Sequence, residues 1–206
     1  MALEEYRKKR KFDATPEPQG ASGPTASSGG PLRYVVQKHS ATALHYDFRL
    51  EWRGVLLSWA IPKGPSLDPT VKRLAMRTED HPVEYASFEG VIPGGQYGTG
   101  TVMVWDRGTW APESDDVDAA LQRGDLKFTI EGEKLRGSWA LVRTRGFGKD
   151  PARESWLLIK HRDSYASTKD LVAEAPRSVV SRRLLGDIAR EGGGDVERAS
   201  KGDPHG

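Results

Sequence analysis

Cysteine is missing from this chain, so neither a disulfide nor a thiolate zinc site holds the fold, which suits a reducing compartment. Long apolar runs are missing as well, and nothing approaches the roughly 20 residues that a membrane-spanning helix needs. The opening stretch, MALEEYRKKRKF, is charged where a secretory signal would be apolar. A soluble, cytoplasmic protein with no membrane partner is therefore expected. Apolar residues are scarce at 36%, whereas 23 Gly and 13 Pro are many for 206 positions. One domain with a real core, plus a good deal of loop or tail, is the organisation these figures predict. Net charge is slight too, at +2, so attraction for a charged partner has to come from local clusters.

Such clusters are present. Glu113, Asp115, Asp116 and Asp118 form an acidic run, and residues 134–162 carry Lys134, Arg136, Arg143, Arg145, Lys149, Arg153, Lys160 and Arg162. That surplus fits either a track for a phosphate backbone or a solvated basic strand pair. Residues 14–31 are nearly all Ala, Gly, Pro, Ser and Thr, the composition of a flexible linker. From Leu32 onward, short β-like runs appear at 33–38, 44–53, 55–61, 71–78, 101–106, 126–131, 135–143 and 156–161, punctuated by Gly, Pro and Asp. This texture predicts a mainly β sandwich or barrel of about eight strands. Residues 116–123 read as a short helix opened by Asp116 and closed by Gly124. A C-terminal helix is expected over 179–190, with Ser178 as its N-cap and Gly192 beyond its end, followed by a frayed tail of a dozen residues. Three parts follow: a basic arm and linker over 1–31, a β domain over 32–175, and a helix with polar tail over 176–206.

Residues 39–53 are the most informative. Alternation along a strand puts Leu44, Tyr46, Phe48, Leu50 and Trp52 on one face and His45, Asp47, Arg49, Glu51 and Arg53 on the other. His39 ends the preceding strand and folds back toward His45. Two neutral imidazoles and a carboxylate suit a divalent transition metal with positions left open for water or substrate. Arg49 beside them offers a planar fork to phosphate oxygens. Lys63, Arg73 and Arg77 are further candidate anion ligands. His81 is a candidate general acid or transition-state donor, with Tyr85 four residues on. The six tryptophans sit at inward-alternating positions and read mostly as core, although base stacking is open to them. The glycine-rich stretch 91–100 fits neither a Walker loop nor a dinucleotide fingerprint and reads as a structural bend.

These residues resemble the 3′-phosphoesterase domain of bacterial DNA ligase D. The resemblance runs from Tyr6, Lys9, Arg10, Phe12, Thr15 and Glu17 through Gln37, His39, His45, Asp47, Arg49 and Glu51 to the Trp59 to Pro65 stretch. It continues through Glu79, His81, Tyr85, Phe88 and the 89–100 stretch to Trp105, Trp110 and residues 156–160. It implies a compact, monomeric β-barrel with a manganese-dependent site: His39, His45 and Asp47 as metal ligands, and Arg49, His81 and Tyr85 gripping the scissile phosphate. It also implies that Lys63 and Arg73 help to remove a terminal phosphate and that Arg10 and Glu17 of the arm are needed for activity. One departure is Lys11, where the family is expected to have aspartate. The implied activity acts on nucleic-acid 3′ ends during double-strand break repair. A phosphodiesterase step removes a terminal ribonucleoside, and a phosphomonoesterase step then leaves a 3′-hydroxyl for separate ligase and polymerase end-joining partners. With no ligase or polymerase motif in view, the chain reads as a free-standing enzyme or an excised domain, and Met1 with the polar C-terminal tail favours the former.

Two other readings compete. A non-haem iron oxygenase would use His45, Asp47 and His81 or His161 as its facial triad. A non-catalytic nucleic-acid-binding barrel would keep the scaffold without turnover. His161 and His205 take no part in the favoured site.

Overall fold

A computed structural model describes residues 3–20, 30–144 and 154–204. Among the described residues nine antiparallel strands carry the fold: β1 Leu32–Ser40, β2 Leu44–Trp52, β3 Val55–Ile61, β4 Lys72–Pro82, β5 Gly90–Ile92, β6 Gly100–Pro112, β7 Asp125–Gly132, β8 Arg136–Arg143 and β9 Ser155–Lys160. The sheet order β1-β2-β3-β4-β9-β8-β7-β6 returns to β1 through a β1–β6 pairing, which closes an eight-stranded barrel. The ninth strand, β5, pairs with the start of β6 outside that ring. The expected barrel is therefore present. β5 escaped the sequence pattern because three residues show no alternation, and the stretch read as a bend at 91–100 overlaps it.

The alternation along β2 decides inside from outside. Tyr46, Phe48 and Leu50 join Trp59, Trp105 and Trp139 in the barrel core, all at most 2% exposed. Trp110 and Trp156 belong to the same core, and Trp52 packs against it. Residues of the opposite parity face outward. Asp47 and Arg49 among them are nonetheless buried, and an N-terminal arm packs nearby against β3, β4 and Tyr85. In that arm α1 (Glu4–Lys8) buries Tyr6 against Leu56 and Tyr85, with Phe12, Ala86 and Phe88 around them, in an apolar cluster of its own outside the barrel. The Tyr6 hydroxyl donates to the Pro18 carbonyl at 2.7 Å and ties the arm's two ends together. Lys11, the departure noted in the sequence, is exposed, and the arm docks through its neighbours. Half of the flexible stretch expected at 14–31 falls on residues 21–29, outside the described residues, but its start belongs to the docked arm, where Thr15 and Glu17 are buried and hydrogen-bonded.

Four further helices are short. α2 (Val117–Arg123) is capped as expected: the Asp116 side chain accepts from Ala119 N, and Gly124 ends the helix at φ +80°. α3 (Leu171–Glu174), α4 (Leu185–Glu191) and α5 (Val196–Ser200) follow. The C-terminal helix thus starts six residues later than its pattern predicted. Ser178 accepts at its hydroxyl from Val180 N and Ser181 N, but Arg182 adopts φ +63° and breaks the turn before α4 begins. The expected frayed tail is packed instead. Asp203 accepts from Leu185 N at 3.1 Å and Gly186 N at 2.8 Å, and the buried Lys38 ammonium reaches the Gly202 carbonyl. Leu185, Ile188, Ala189 and Ala199 belong to the barrel's own core. Among the described residues no helix is long and apolar enough to cross a membrane.

The basic run also differs from its expectation. Lys134 spends its ammonium on the Ala175 and Arg177 carbonyls, and fully buried Lys160 spends its own on Asp163. Both are internal braces. Arg145, Lys149 and Arg153 lie outside the described residues.

Gly100 positions the strand that carries His39. It sits at φ +145°, and a Cβ there would meet the Ser40 carbonyl oxygen at 2.0 Å. Gly100→Ala is expected to lower unfolding stability by about 2 kcal/mol or more, read from denaturant melts, because backbone on both sides must give.

Candidate active site

The β1–β2 hairpin register sets His39 opposite His45, Gln37 opposite Asp47 and Val35 opposite Arg49. Cross-strand partners share a face, so both imidazoles stand together on the barrel's outside, with ring centroids 4.9 Å apart. Asp47 lies between them: its Oδ2 is 3.6 Å from His39 Nδ1 and 3.5 Å from His45 Nε2. Each ring's other nitrogen is already engaged. His39 Nε2 donates to the Gly98 carbonyl at 2.9 Å, and His45 Nδ1 donates to the Ala43 carbonyl at 3.0 Å. Those two bonds fix the tautomers and aim His39 Nδ1 and His45 Nε2, as lone pairs, at the space beside the carboxylate.

The three donor atoms fall within 4.8 Å of one another and form the only such group among the described residues. Ligand atoms 2.0–2.2 Å from a common ion at tetrahedral angles stand about 3.4 Å apart, close to the separations found here. Two imidazoles and a carboxylate, each with orienting support, fit a divalent transition metal and not an oxygen-seeking ion such as calcium. Burial on its own would raise the Asp47 carboxyl. The Arg49 guanidinium and the two imidazoles outweigh that and hold it well below the usual carboxylate range, so it is an anion ready for a metal. His45 is pushed the other way: Asp47 overcomes the effect of burial and raises its imidazole.

Arg49 is held on three sides. Its Nε donates to Gln37 Oε1 at 2.8 Å, Nη1 donates to Ser58 Oγ at 2.7 Å, and Nη2 lies 3.3 Å from Asp47 Oδ2. Gln37 is fixed in turn by donating to the Tyr85 and Phe88 carbonyls. Beyond Arg49 stands His81, brought there by a bulge between Leu56 and Ser58 that shifts the β3–β4 register. Its Nδ1 is 2.9 Å from the Glu79 carbonyl and 3.0 Å from Arg49 Nη1, and its Nε2 is 3.4 Å from Arg10 Nη2. Burial, then Arg49, then Arg10 depress its imidazole well below the ordinary value, so the ring is neutral before an anion arrives.

The arm completes the wall. Arg10 Nε donates to Glu17 Oε1 at 2.8 Å, and Arg10 Nη1 donates to Glu79 Oε1 at 3.3 Å. Tyr85 donates its hydroxyl to the same Glu17 oxygen at 3.1 Å. Burial and Glu17 push that phenol well above its usual range, so it stays an O–H donor.

A cavity of about 150 Å³ therefore brings His39, His45, Asp47, Arg49, His81, Tyr85 and Arg10 together, with Glu17 behind them. It does not bring in Lys63 and Arg73. These line a separate cavity of about 460 Å³ with Tyr46, on the inward side of β2. Arg77 is taken up by the Ser58 and Thr78 carbonyls and Asp80. His161 faces Ser138 at 2.7 Å, far round the barrel on β8 and β9, and His205 lies outside the described residues. With His81 turned toward two guanidiniums and His161 elsewhere, neither triad named for the iron reading forms, and His39 is the histidine that joins His45 and Asp47. Gln37, Ser58 and Glu79, which hold the arginines, were not singled out as site residues from sequence. Gln37 and Glu79 share outward parity with residues that were, and that parity is the signal that could have found them.

A closed barrel carrying a His-His-Asp group on its outer wall, with the Arg49 guanidinium beside the same carboxylate and Arg10 lining the same cavity, defines a class of metal-centred sites for anionic substrates. The chain belongs to a particular family of that class: the model for the DNA ligase D 3′-phosphoesterase domain matches residues 37–143. The chain is 54% identical over 186 residues to the multifunctional non-homologous end joining protein LigD of Pseudomonas aeruginosa, covering 89% of this chain and 22% of that one. It is 44% identical over 144 residues to the multifunctional non-homologous end joining DNA repair protein LigD of Mycobacterium tuberculosis, covering 70% and 18%. The counterpart from Mycolicibacterium smegmatis is 39% identical over 166 residues, 78% of this chain and 21% of that one. The chain thus spans about a fifth of the length of the curated relatives it matches.

Proposed function

We propose that this protein is a manganese-dependent 3′-end-processing phosphoesterase acting on nucleic-acid strands in non-homologous end joining. It first hydrolyses the phosphodiester that holds a terminal ribonucleoside, then the 3′-phosphate that remains. The observation that carries the reading is the contact of Arg49 with Asp47: an anion-binding fork 3.3 Å from a candidate metal ligand, both buried. Membership of the phosphoesterase family supports it.

His39, His45 and Asp47 would hold the ion, which supplies Lewis-acid stabilisation of phosphoryl charge. The chain's own groups do the rest. Arg49 already points one Nη edge at this space and offers charge-assisted hydrogen bonds to phosphoryl oxygens. Arg10 adds donors from the arm side, and the Tyr85 hydroxyl would join them by turning its one proton from Glu17 to the substrate. His81 enters neutral, and a phosphoryl anion beside it counters the two guanidiniums and shifts the ring toward its protonated form. It then serves as a donor to the departing oxygen. The cavity lining has no serine or cysteine among the described residues, and Tyr85 is held as an O–H, which supports attack by water. The roles of Lys63 and Arg73 in removing a terminal phosphate rest on the resemblance alone, since they line the other cavity.

A labelled primer–template ending in one ribonucleotide, and a second ending in 3′-phosphate, test the proposal. With manganese the protein is expected to shorten the first and dephosphorylate the second. Chelator, or His45→Ala, is expected to cost about a thousandfold or more in both rates. Ends that survive while the strand is bound would make this a binding barrel instead.

A further inference from the structure

The metal cavity opens onto a second, larger one. The two share His45, Ala60, Thr78, Glu79 and Tyr97. The inner space, about 150 Å³, has room for a phosphoryl group and its ion, and guanidiniums line it. The outer, about 590 Å³, is in the size range of pockets that enclose a nucleoside-sized ligand, and Pro62 and Met76 give it apolar wall. On the shared rim stands Tyr97, 46% exposed and one of few large apolar side chains left open to solvent among the described residues.

Tyr97 is presented there by a built turn. Gly95 at φ +80° and Gly98 at φ +74° bracket it, and the Gly98 carbonyl is the acceptor that orients His39. The ring is therefore tied, one residue away, to a candidate metal ligand. Lys9 Nζ lies 4.9 Å and the Arg10 guanidinium 5.4 Å from its centroid. These cations steady the ring and add positive charge beside it.

We infer that the larger cavity receives the terminal nucleoside of the strand, with its base stacked on Tyr97. The inference rests on the phosphoesterase reading and adds to it the part of the substrate that leaves. In a nucleotide the base stands one sugar away from the phosphate, and these two cavities reproduce that arrangement: a cationic phosphate space, then an aromatic-rimmed one. Stacking is indifferent to base identity, because every base has a π-face, so the pocket selects for a base and not for a sequence.

The test uses the full chain, manganese, and two matched primer–templates, one ending in a ribonucleotide and one in a ribose that lacks its base. Tyr97→Ala is expected to raise KM for the base-bearing end about tenfold or more, and for the abasic end by less than about twofold. Tyr97→Trp is expected to keep KM near the wild-type value on the base-bearing end. Equal shifts on the two ends, as a distorted Gly98 turn would give, overturn the stacking role. So does an unchanged KM on the base-bearing end. A wild type that processes neither end refutes the phosphoesterase reading itself. An active wild type whose Tyr97→Ala variant shows no base dependence refutes this inference alone.

Discussion

Asp47→Asn is expected to abolish end processing and to lower the melting temperature by several degrees. The carboxylate serves two sets of partners. Toward solvent it supplies the anionic ligand between His39 Nδ1 and His45 Nε2, and toward the barrel it is the countercharge of Arg49. An amide keeps the shape and removes the charge. Manganese then meets two imidazoles and a neutral oxygen, and turnover is expected to fall by about a thousandfold or more. Arg49, 2% exposed, is left without its anion. Breaking a buried pair from one side costs about 3 kcal/mol, which corresponds to about 6–12 °C in a chain of this size. Thermal melts in chelator read the second effect without the first, and manganese titration reads the first without the second. An Asp47→Asn variant that binds manganese with wild-type affinity and trims ends at the wild-type rate would sink the metal-ligand assignment.

Removing residues 1–20 is expected to leave a folded barrel that has lost most of its activity. The arm's apolar cluster of Tyr6, Leu56 and Tyr85 is separate from the barrel core, so the core survives its loss. The site does not. Arg10 departs from beside His81, Glu17 releases the Tyr85 hydroxyl, and Glu79 loses its hydrogen bonds from Arg10 and Lys9. Displacements of about 1 Å in positioning groups cost on the order of a hundredfold, so kcat is expected to fall by at least that much. Circular dichroism should retain the barrel signal, and the arm added back as a separate peptide at high concentration should restore part of the rate. Full activity in the truncated protein would reduce the arm to a lid without chemical consequence.

The site was largely legible because the strand that bears it is written in period two. Five apolar residues alternate with five polar ones over 44–53, so side-chain direction follows from parity alone, and His39 needs only a tight hairpin to join them. What stayed hidden has physical reasons. The burial of Arg49 comes from partners distant in sequence, Gln37, Ser58 and His81, which a strand pattern does not show, and β2 itself reads as a half-wet strand. Ala43 and Gly98 orient the imidazoles through carbonyls, atoms that every residue possesses and no sequence distinguishes. Arg182 breaks the C-terminal helix at positive φ without glycine to announce it. Lys63 and Arg73 were read as anion ligands from residue type and grouped with the phosphate by resemblance, but Lys63, in the turn after β3, and Arg73, on β4, line the cavity beside Leu44 and Tyr46 instead. The tail looked frayed because its anchor is one carboxylate, Asp203, meeting two amides and a buried lysine far away in sequence.

The double use of β2 has a consequence for errors in making the protein. One face of the strand is core and the other is site, so a slip of a single residue would turn Phe48 out and Asp47 in at the same stroke. Such a molecule would carry a buried charge and a bare apolar stripe, and it would be cleared by degradation or clumping. The barrel therefore has no cheap route, through this strand, to a well-folded but silent copy. For β2, quality control of shape is also quality control of chemistry.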